Sequence, residues 1–195
     1  MVQLILADPE EELCQAWRIA FQSYPEVDVF HGRFEQVQKF DCMVSAANSF
    51  GLMDGGVDLA ISNYFGNNLQ LCVQKAIIDT YNGEQPVGTS FIIETNHPHH
   101  PYLAHTPTMR VPMPITNTDN VYQAMKAMLQ AVKSFNAESA KIKTVVCPGL
   151  GTATGRVPVA EAARQMQVAY HYHKNAPQAI DWPSAAARHR NIMNY

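Results

Sequence analysis

Two stretches of this chain run from an apolar strand through a turn of small residues into the start of a helix, and that duplication constrains the fold more than any other feature. The first reads Val44-Ser45-Ala46-Ala47-Asn48 and continues through Asp54-Gly55-Gly56-Val57-Asp58. The second follows an apolar run over 142–147 and reads Pro148-Gly149-Leu150-Gly151-Thr152-Ala153-Thr154-Gly155-Arg156-Val157-Pro158. Glycines let the backbone approach a ligand closely. The helix that follows begins with N–H groups lacking an acceptor and with the positive end of its dipole, which suits a phosphate. In an α/β sheet, ligands lie beyond the carboxyl ends of the strands, the edge from which both turns emerge.

The rest of the chain supplies the matching elements. Residues 2–6 and 26–30 read as strands, separated by a helix with Leu13, Ala16, Trp17, Ala20 and Phe21 on its buried face. Asp8, Pro9 and Glu11 predict a capping box at the start of that helix. Further strands are expected over 41–46, 89–94, 102–113 and 142–147, and further helices from Gly55, over 69–81, from Asp119 or Asn120, and from Pro158. Strands alternating with helices predict an α/β fold, a three-layer α/β/α sandwich around a mixed sheet. Residues 1–173 form the expected domain. Residues 174–195 are a C-terminal extension packed on it or trailing from it, with Trp182-Pro183 opening a short helix.

Composition narrows the function. A length of 195 residues with 47% hydrophobic and 16% charged residues fits one globular domain with its own core. No apolar run approaches the roughly 20 residues of a membrane span. Met1-Val2-Gln3-Leu4 has neither a basic flank nor a small-residue cleavage site, so a cytoplasmic protein is expected. The net charge is −3 and no Lys/Arg cluster is present, which argues against binding duplex nucleic acid through its phosphates. A phosphate ligand must then be held by backbone N–H groups. Cys14, Cys42, Cys72 and Cys147 form no Cys-x-x-Cys pair and read as small hydrophobes. His97, His99, His100 and His105 crowd a Pro-rich turn without a carboxylate or cysteine at ligand spacing, so no metal and no cofactor is expected.

With these residues placed, the chain resembles the ADP-ribose-binding macro domains, as a divergent bacterial or phage-type member. Macro domains carry a strand ending in Asn-Ala-Ala-Asn, then Gly-Gly-Val-Asp at a helix start; here stand Ser45-Ala46-Ala47-Asn48 and Gly55-Gly56-Val57-Asp58. They also carry a loop like Gly-Leu-Gly-Thr-Gly before a proline and a last long helix, matched by Gly149-Leu150-Gly151-Thr152-Ala153 and Pro158. The resemblance implies that Ala47 and Asn48 lie at the distal ribose, and that Gly55, Gly56 and Val57 run along the diphosphate. It implies that Leu150, Gly151, Thr152, Ala153, Thr154 and Gly155 wrap the diphosphate from the other side. Asp58, ten residues after Asn48, takes the place of the acidic residue that hydrolytic macro domains set near the scissile ribose bond, to orient or activate a water. Asn48 and Asp58 are therefore the candidate catalytic pair, although Asp58 also suits the first turn of a helix for purely structural reasons.

The chain departs from the family pattern at several positions. Gly32 is followed by Arg33, where many macro domains have an aspartate that accepts a hydrogen bond from the adenine amine, and an arginine cannot accept one. Either Phe34 stacks on the adenine, or Glu35 supplies the acceptor, or the ligand is not an adenine nucleotide. Ser45 replaces the first asparagine, and Asp54 adds negative charge before the glycine pair. Gly155-Arg156 stands where an aromatic often covers the distal ribose, and Arg156 either meets a phosphate or points into solvent. The expected ligand is ADP-ribose or a related nucleotide, free or on a modified protein or nucleic acid, with hydrolysis of a mono-ADP-ribosyl or O-acetyl-ADP-ribose linkage as the enzymatic form. Two other readings stay open: a non-catalytic reader of a nucleotide or nucleic-acid end, and a phage or mobile-element interaction subunit with a vestigial cleft.

Overall fold

Alternation along the strands decides the architecture. In strand β3 (Cys42–Asn48), Cys42 and Val44 face one apolar core and Met43 faces another, so both sides of the sheet must be covered. The computed structural model, which describes residues 2–66 and 68–193, covers them with helices. Strand β1 spans Gln3–Asp8, helix α1 Glu11–Ala20 and strand β2 Val27–His31. After β3 come α2 (Gly56–Phe65), α3 (Asn68–Tyr81), β4 (Phe91–Glu94) and β5 (Tyr102–Met109). The chain continues through α4 (Asn120–Ser139), β6 (Thr144–Cys147), α5 (Val159–Lys174) and α6 (Trp182–Met193).

The six strands lie in the order β2-β1-β6-β3-β5-β4, parallel throughout except that β4 runs antiparallel to β5. Helices α1, α4 and α5 pack on one face over Leu4, Leu6, Val44, Val145 and Cys147. Helices α2 and α3 cover the other with Ile61, Leu69, Val73 and Ile77 against Met43, Leu103 and Val146. The expected three-layer sandwich with a mixed sheet is therefore the fold observed. Trp17 is wholly buried, and its indole N–H points at the Met166 sulfur at 3.3 Å, tying α1 to α5.

Several boundaries differ from the sequence expectation, each for a local reason. The capping box at Asp8 does not form. Asp8 is the last residue of β1, Glu10 holds the N-cap position of α1, and the Asp8 carboxylate accepts the Glu10 N–H at 3.0 Å and the Gly149 N–H at 3.1 Å. Strand β3 runs two residues past the expected end, because Ala46, Ala47 and Asn48 still pair with Thr106, Pro107 and Met109 of β5. Strand β5 in turn stops at Met109 instead of reaching Met113. Pro112 and Pro114 follow, and neither has an N–H to give to a ladder.

The C-terminal segment is held by α5. The Arg164 guanidinium donates to the carbonyls of Asn191 and Ile192, both at 2.6 Å, which caps the last turn of α6. Arg188 lies 3.9 Å over the Tyr172 ring, and Ile192 enters the larger core. Cys14, Cys42 and Cys147 are buried free thiols and Cys72 is exposed. The histidines of the Pro-rich turn pack and cap: His100 stacks on Phe40 at 3.8 Å, and the His97 ring nitrogen accepts the His99 and His100 N–H groups. His105 lies apart from them, buried in β5. Among the described residues, no three His, Cys, Asp or Glu side chains group as metal ligands, and no helix is long and apolar enough to cross a membrane.

Candidate functional site

Because β1, β6, β3 and β5 are mutually parallel, their carboxyl ends bring Asp8, Cys147, Asn48 and Met109 to one edge of the sheet. The two glycine-rich turns leave from that edge and face each other across a cleft. Its inner part is a cavity of about 280 Å³ between Asn48, Gly55, Gly56, Val57 and Asp58 on one side and Gly151, Ala153, Thr154 and Gly155 on the other. An outer part of about 690 Å³ continues from it, sharing Gly56, Val57, Gly149 and Ala153, and extends to Arg33 and Phe34. Both volumes fall in or close to the range of small-molecule sites, a few hundred to about a thousand Å³.

The walls are rows of amide donors. Among the described residues, the backbone N–H groups of Gly56, Val57 and Asp58 have no acceptor within the protein, as expected for the first turn of a helix. The same holds for the N–H groups of Gly151, Thr152, Ala153, Thr154 and Gly155. The turn that presents them is fixed by other bonds: Val157 N–H to the Gly151 carbonyl at 3.0 Å, Arg156 N–H to Ala153 at 3.1 Å, and Ile115 N–H to Gly155 at 2.8 Å. Gly56 sits at φ +56° with open space around it, a conformation that carries a steric cost for any residue with a Cβ.

Gly155 is needed for a different reason. A Cβ there would lie 2.4 Å from the Gly151 carbonyl oxygen, a backbone atom that cannot move without opening the turn. Gly155→Ala should lower the unfolding free energy by about 1–3 kcal/mol, read from urea midpoints. An unchanged midpoint would mean that the turn yields freely and that its shape is not built in.

At the inner end lies Asp58, with only 6% of its surface exposed. Its Oδ1 accepts the hydroxyl of Ser45, itself fully buried, at 2.7 Å. Burial pushes the Asp58 carboxyl up to about 6; the Ser45 hydrogen bond pulls it down, and the charge of Asp54 adds to the rise. The group is thus ionised at neutral pH while being a stronger base than an ordinary carboxylate. Asn48 also lines the inner cavity, but its side chain works first on its own loop. Its Oδ1 accepts the N–H groups of Phe50 at 3.0 Å and Leu52 at 3.3 Å, and its amide donates to the Leu52 carbonyl at 2.7 Å. One amide hydrogen remains for a ligand.

Most of the candidate residues are brought together here. Ala47, Asn48, Gly55, Gly56, Val57, Asp58, Gly151, Ala153, Thr154 and Gly155 border the inner cavity, and Arg33, Phe34 and Thr152 border the outer one. Two do not border either. Leu150 turns its side chain wholly into the core, and Gly32 makes its contribution as a turn behind Phe30 and Gln36. Phe34 is almost fully buried, with its ring edge-on to Tyr64 at 5.4 Å, and it offers the cavity a wall more than a free stacking face. Arg156 is exposed at φ +55° and borders neither cavity.

Sequence reasoning missed the residues that topology alone supplies. Asp8, Glu10 and Glu12 border the outer cavity beside Glu35, because β1 lies next to β6 and delivers its end to the second turn. The carboxylate that Arg33 cannot provide therefore has four neighbours able to accept a hydrogen bond. Thr108, Met109 and Pro112 reach the inner cavity because β5 neighbours β3. Asp8 alone had a signal, as an acidic residue closing an apolar strand.

Comparison with known proteins places this geometry. The family model described as Macro domain matches residues 44–166. An uncharacterised protein of Aquifex aeolicus (strain VF5) is 32% identical over 142 residues, 72% of this chain and 78% of that protein. Among solved structures, a variant of the Oceanobacillus iheyensis macrodomain with ADPR superposes with a TM-score of 0.60 at 20% identity, covering 80% of this chain and 87% of that one. The same macrodomain with ADP gives 0.59 at 21% identity, covering 80% and 84%. The macrodomain of Mycobacterium tuberculosis DarG gives 0.57 at 18% identity, covering 68% and 82%. At these identities the solved structures establish the likeness of fold.

Proposed function

This chain belongs to the macro domain family, and on that premise we propose that its cleft binds ADP-ribose, with Asp58 acting as the base that hydrolyses an ADP-ribosyl linkage. The observation that carries the reading is the pair of facing amide rows, 56–58 and 151–155, on the two walls of one cleft. They offer a diphosphate neutral donors in place of water, at the positive end of the α2 dipole. The Oceanobacillus iheyensis macrodomain variant whose structure was solved with ADPR has the same fold, which supports the choice of ligand. The adenosine end lies in the outer cavity, where Glu35, Glu10 and Glu12 are acceptors for an exocyclic amine. The distal ribose lies in the inner cavity, between Asn48 and Asp58.

The chemistry follows from that placement. A water held by Asp58 attacks the anomeric carbon of the distal ribose, the carboxylate takes the proton, and the bond from that carbon to the acceptor oxygen or nitrogen breaks. The leaving group takes its proton from solvent. Chain residues contribute the base and the hold on the diphosphate; the water and the substrate carry the reaction. A base near pKa 6 loses little of its ionised fraction at pH 7 and gains basicity over an ordinary carboxylate, as general-base catalysis favours.

Titration calorimetry with ADP-ribose should show saturable one-site binding, while ribose 5-phosphate binds at least tenfold more weakly for want of the second phosphate and the base. No heat with ADP-ribose at millimolar concentration would reject the assignment. A thermal-shift panel of adenine and hypoxanthine diphosphate sugars distinguishes the adenine reading from that of a general nucleotide reader, since of these two purines only adenine carries an exocyclic amine to give to the outer carboxylates.

A further inference from the structure

Two of the positions at which this chain departs from the macro domain pattern, Ser45 and Asp54, act on one carboxylate. Ser45 lies in β3 with no exposed surface, and its hydroxyl is 2.7 Å from Asp58 Oδ1. Asp54 borders the same inner cavity as Asp58 from the loop before α2. A buried hydroxyl that donates to a buried carboxylate does two things at once: it fixes the rotation of the carboxyl group, and it favours the ionised form. With Oδ1 tied to β3, the orientation of the carboxylate at the inner cavity is set by the sheet, the most rigid part of the fold, and not by the loop.

We infer that Ser45 is a positioning residue for Asp58, orienting its carboxylate toward the inner cavity and holding it ionised in the working pH range. This rests on the proposed role of Asp58 as the base. The surroundings leave the task to Ser45. Helix α2 provides no cation in its first turn, and the lining from β5 and from the second turn, Thr108, Met109, Gly151, Ala153, Thr154 and Gly155, has no titratable group. His105, the register partner of Ser45 in β5, is held neutral by burial, which pushes its imidazole down to about 3. Asp54 is the charged neighbour, and it acts against ionisation. Among side chains it is therefore the Ser45 hydroxyl that opposes burial and Asp54, together with the positive end of the α2 dipole.

The residue type matters as well as the position. An asparagine, which the family pattern places here, has an amide able to donate to a carboxylate but also a carbonyl that must find a donor in a buried strand. Serine donates with a smaller side chain and leaves Asp58 room to stay close to the sheet. Ser45→Ala removes the donor without adding volume, and Ser45→Thr restores it.

Carboxyl carbon NMR of the intact protein reads the titration of Asp58 directly, assigned by its loss in Asp58→Asn. In Ser45→Ala the midpoint should rise by about one pH unit or more, the size of a hydrogen bond to a charged group, and Ser45→Thr should bring it back. The pH profile of ADP-ribose release from a mono-ADP-ribosylated protein should move by the same amount, through kcat with little change in KM. A midpoint that stays in place in Ser45→Ala overturns the inference. If the midpoint moves but the parent releases no ADP-ribose at any pH, Ser45 still positions Asp58 and it is the hydrolytic reading that fails. Should Ser45→Ala melt below the assay temperature, Ser45→Thr and Ser45→Cys, which grade the donor strength without emptying the site, give the same comparison.

Discussion

Asp58→Asn should be more stable than the parent at pH 8 by up to about 3 kcal/mol, and should release ADP-ribose more slowly by roughly 10²–10⁴-fold. The two effects have one source. The native carboxyl titrates near 6 against an ordinary value of 3.8, because it is buried with one hydroxyl partner and no cation. The sign follows from proton binding. Between about pH 4 and 6 the native state holds a proton that the unfolded chain has already released, so stability falls as pH rises through that window and stays reduced above it. A separation of about 2 units at 1.36 kcal/mol each gives the figure near 3 kcal/mol. Asparagine keeps an oxygen for the Ser45 hydroxyl and carries no charge to desolvate. It also has no basic oxygen with which to take a proton from water. Urea unfolding at pH 8 and at pH 4 separates the terms, since the gain should vanish at the lower pH. Equal stability at pH 8 would show that burial costs this carboxylate nothing, and equal turnover would remove it from the chemistry. A residue retained at a cost to the fold is the pattern expected of a functional group placed against the preference of the core.

How much of this was legible beforehand depends on what kind of information each part needs. Both turns could be read because their signal is local: a strand, glycines and a helix start within fifteen residues, as in Val44 to Asp58. The three layers could be read because strands alternate with helices along the chain, and Cys42, Met43 and Val44 fit them by facing apolar cores on both sides of the sheet. Residues that enter the site through sheet order could not be read. Nothing near Asp8 or Thr108 in the chain says that β1 lies beside β6, or β5 beside β3. The role of Ser45 was hidden for the same reason, since its partner is thirteen residues away on a helix and its side chain could as well have faced the other core. For Leu150 the motif fixes where the backbone lies and leaves the side chain free to turn into the core, which it does. Motif resemblance locates backbone, whereas the direction of a side chain is decided by packing.

The acid response of the protein should be shallow in the parent and steep in Asp58→Asn, because two buried groups oppose each other. His105 is wholly buried in β5, with one ring nitrogen 2.6 Å from the Gln85 side-chain oxygen and the other without a hydrogen-bond partner among the described residues. Burial pushes its imidazole down to about 3, while the unfolded chain takes up that proton near 6.5. Its contribution is therefore fully present above pH 6.5 and is lost as pH falls, on the order of 2 kcal/mol by pH 5. His97 and His173, also held below the ordinary value chiefly by burial, act in the same direction. Asp58 acts in the other, returning about 1 kcal/mol as the native carboxyl takes its proton between pH 6 and 5. Glu26 and Glu161, kept low by hydrogen bonds to Lys174 and Arg164, enter only below about pH 4.5. From pH 6.5 to 5 the parent should thus lose about 1 kcal/mol less than Asp58→Asn loses, measured as unfolding free energy in urea. Parallel curves for the two proteins would mean that Asp58 is not protonated in the folded state in this range, and its assignment as a base of raised pKa would fall with them.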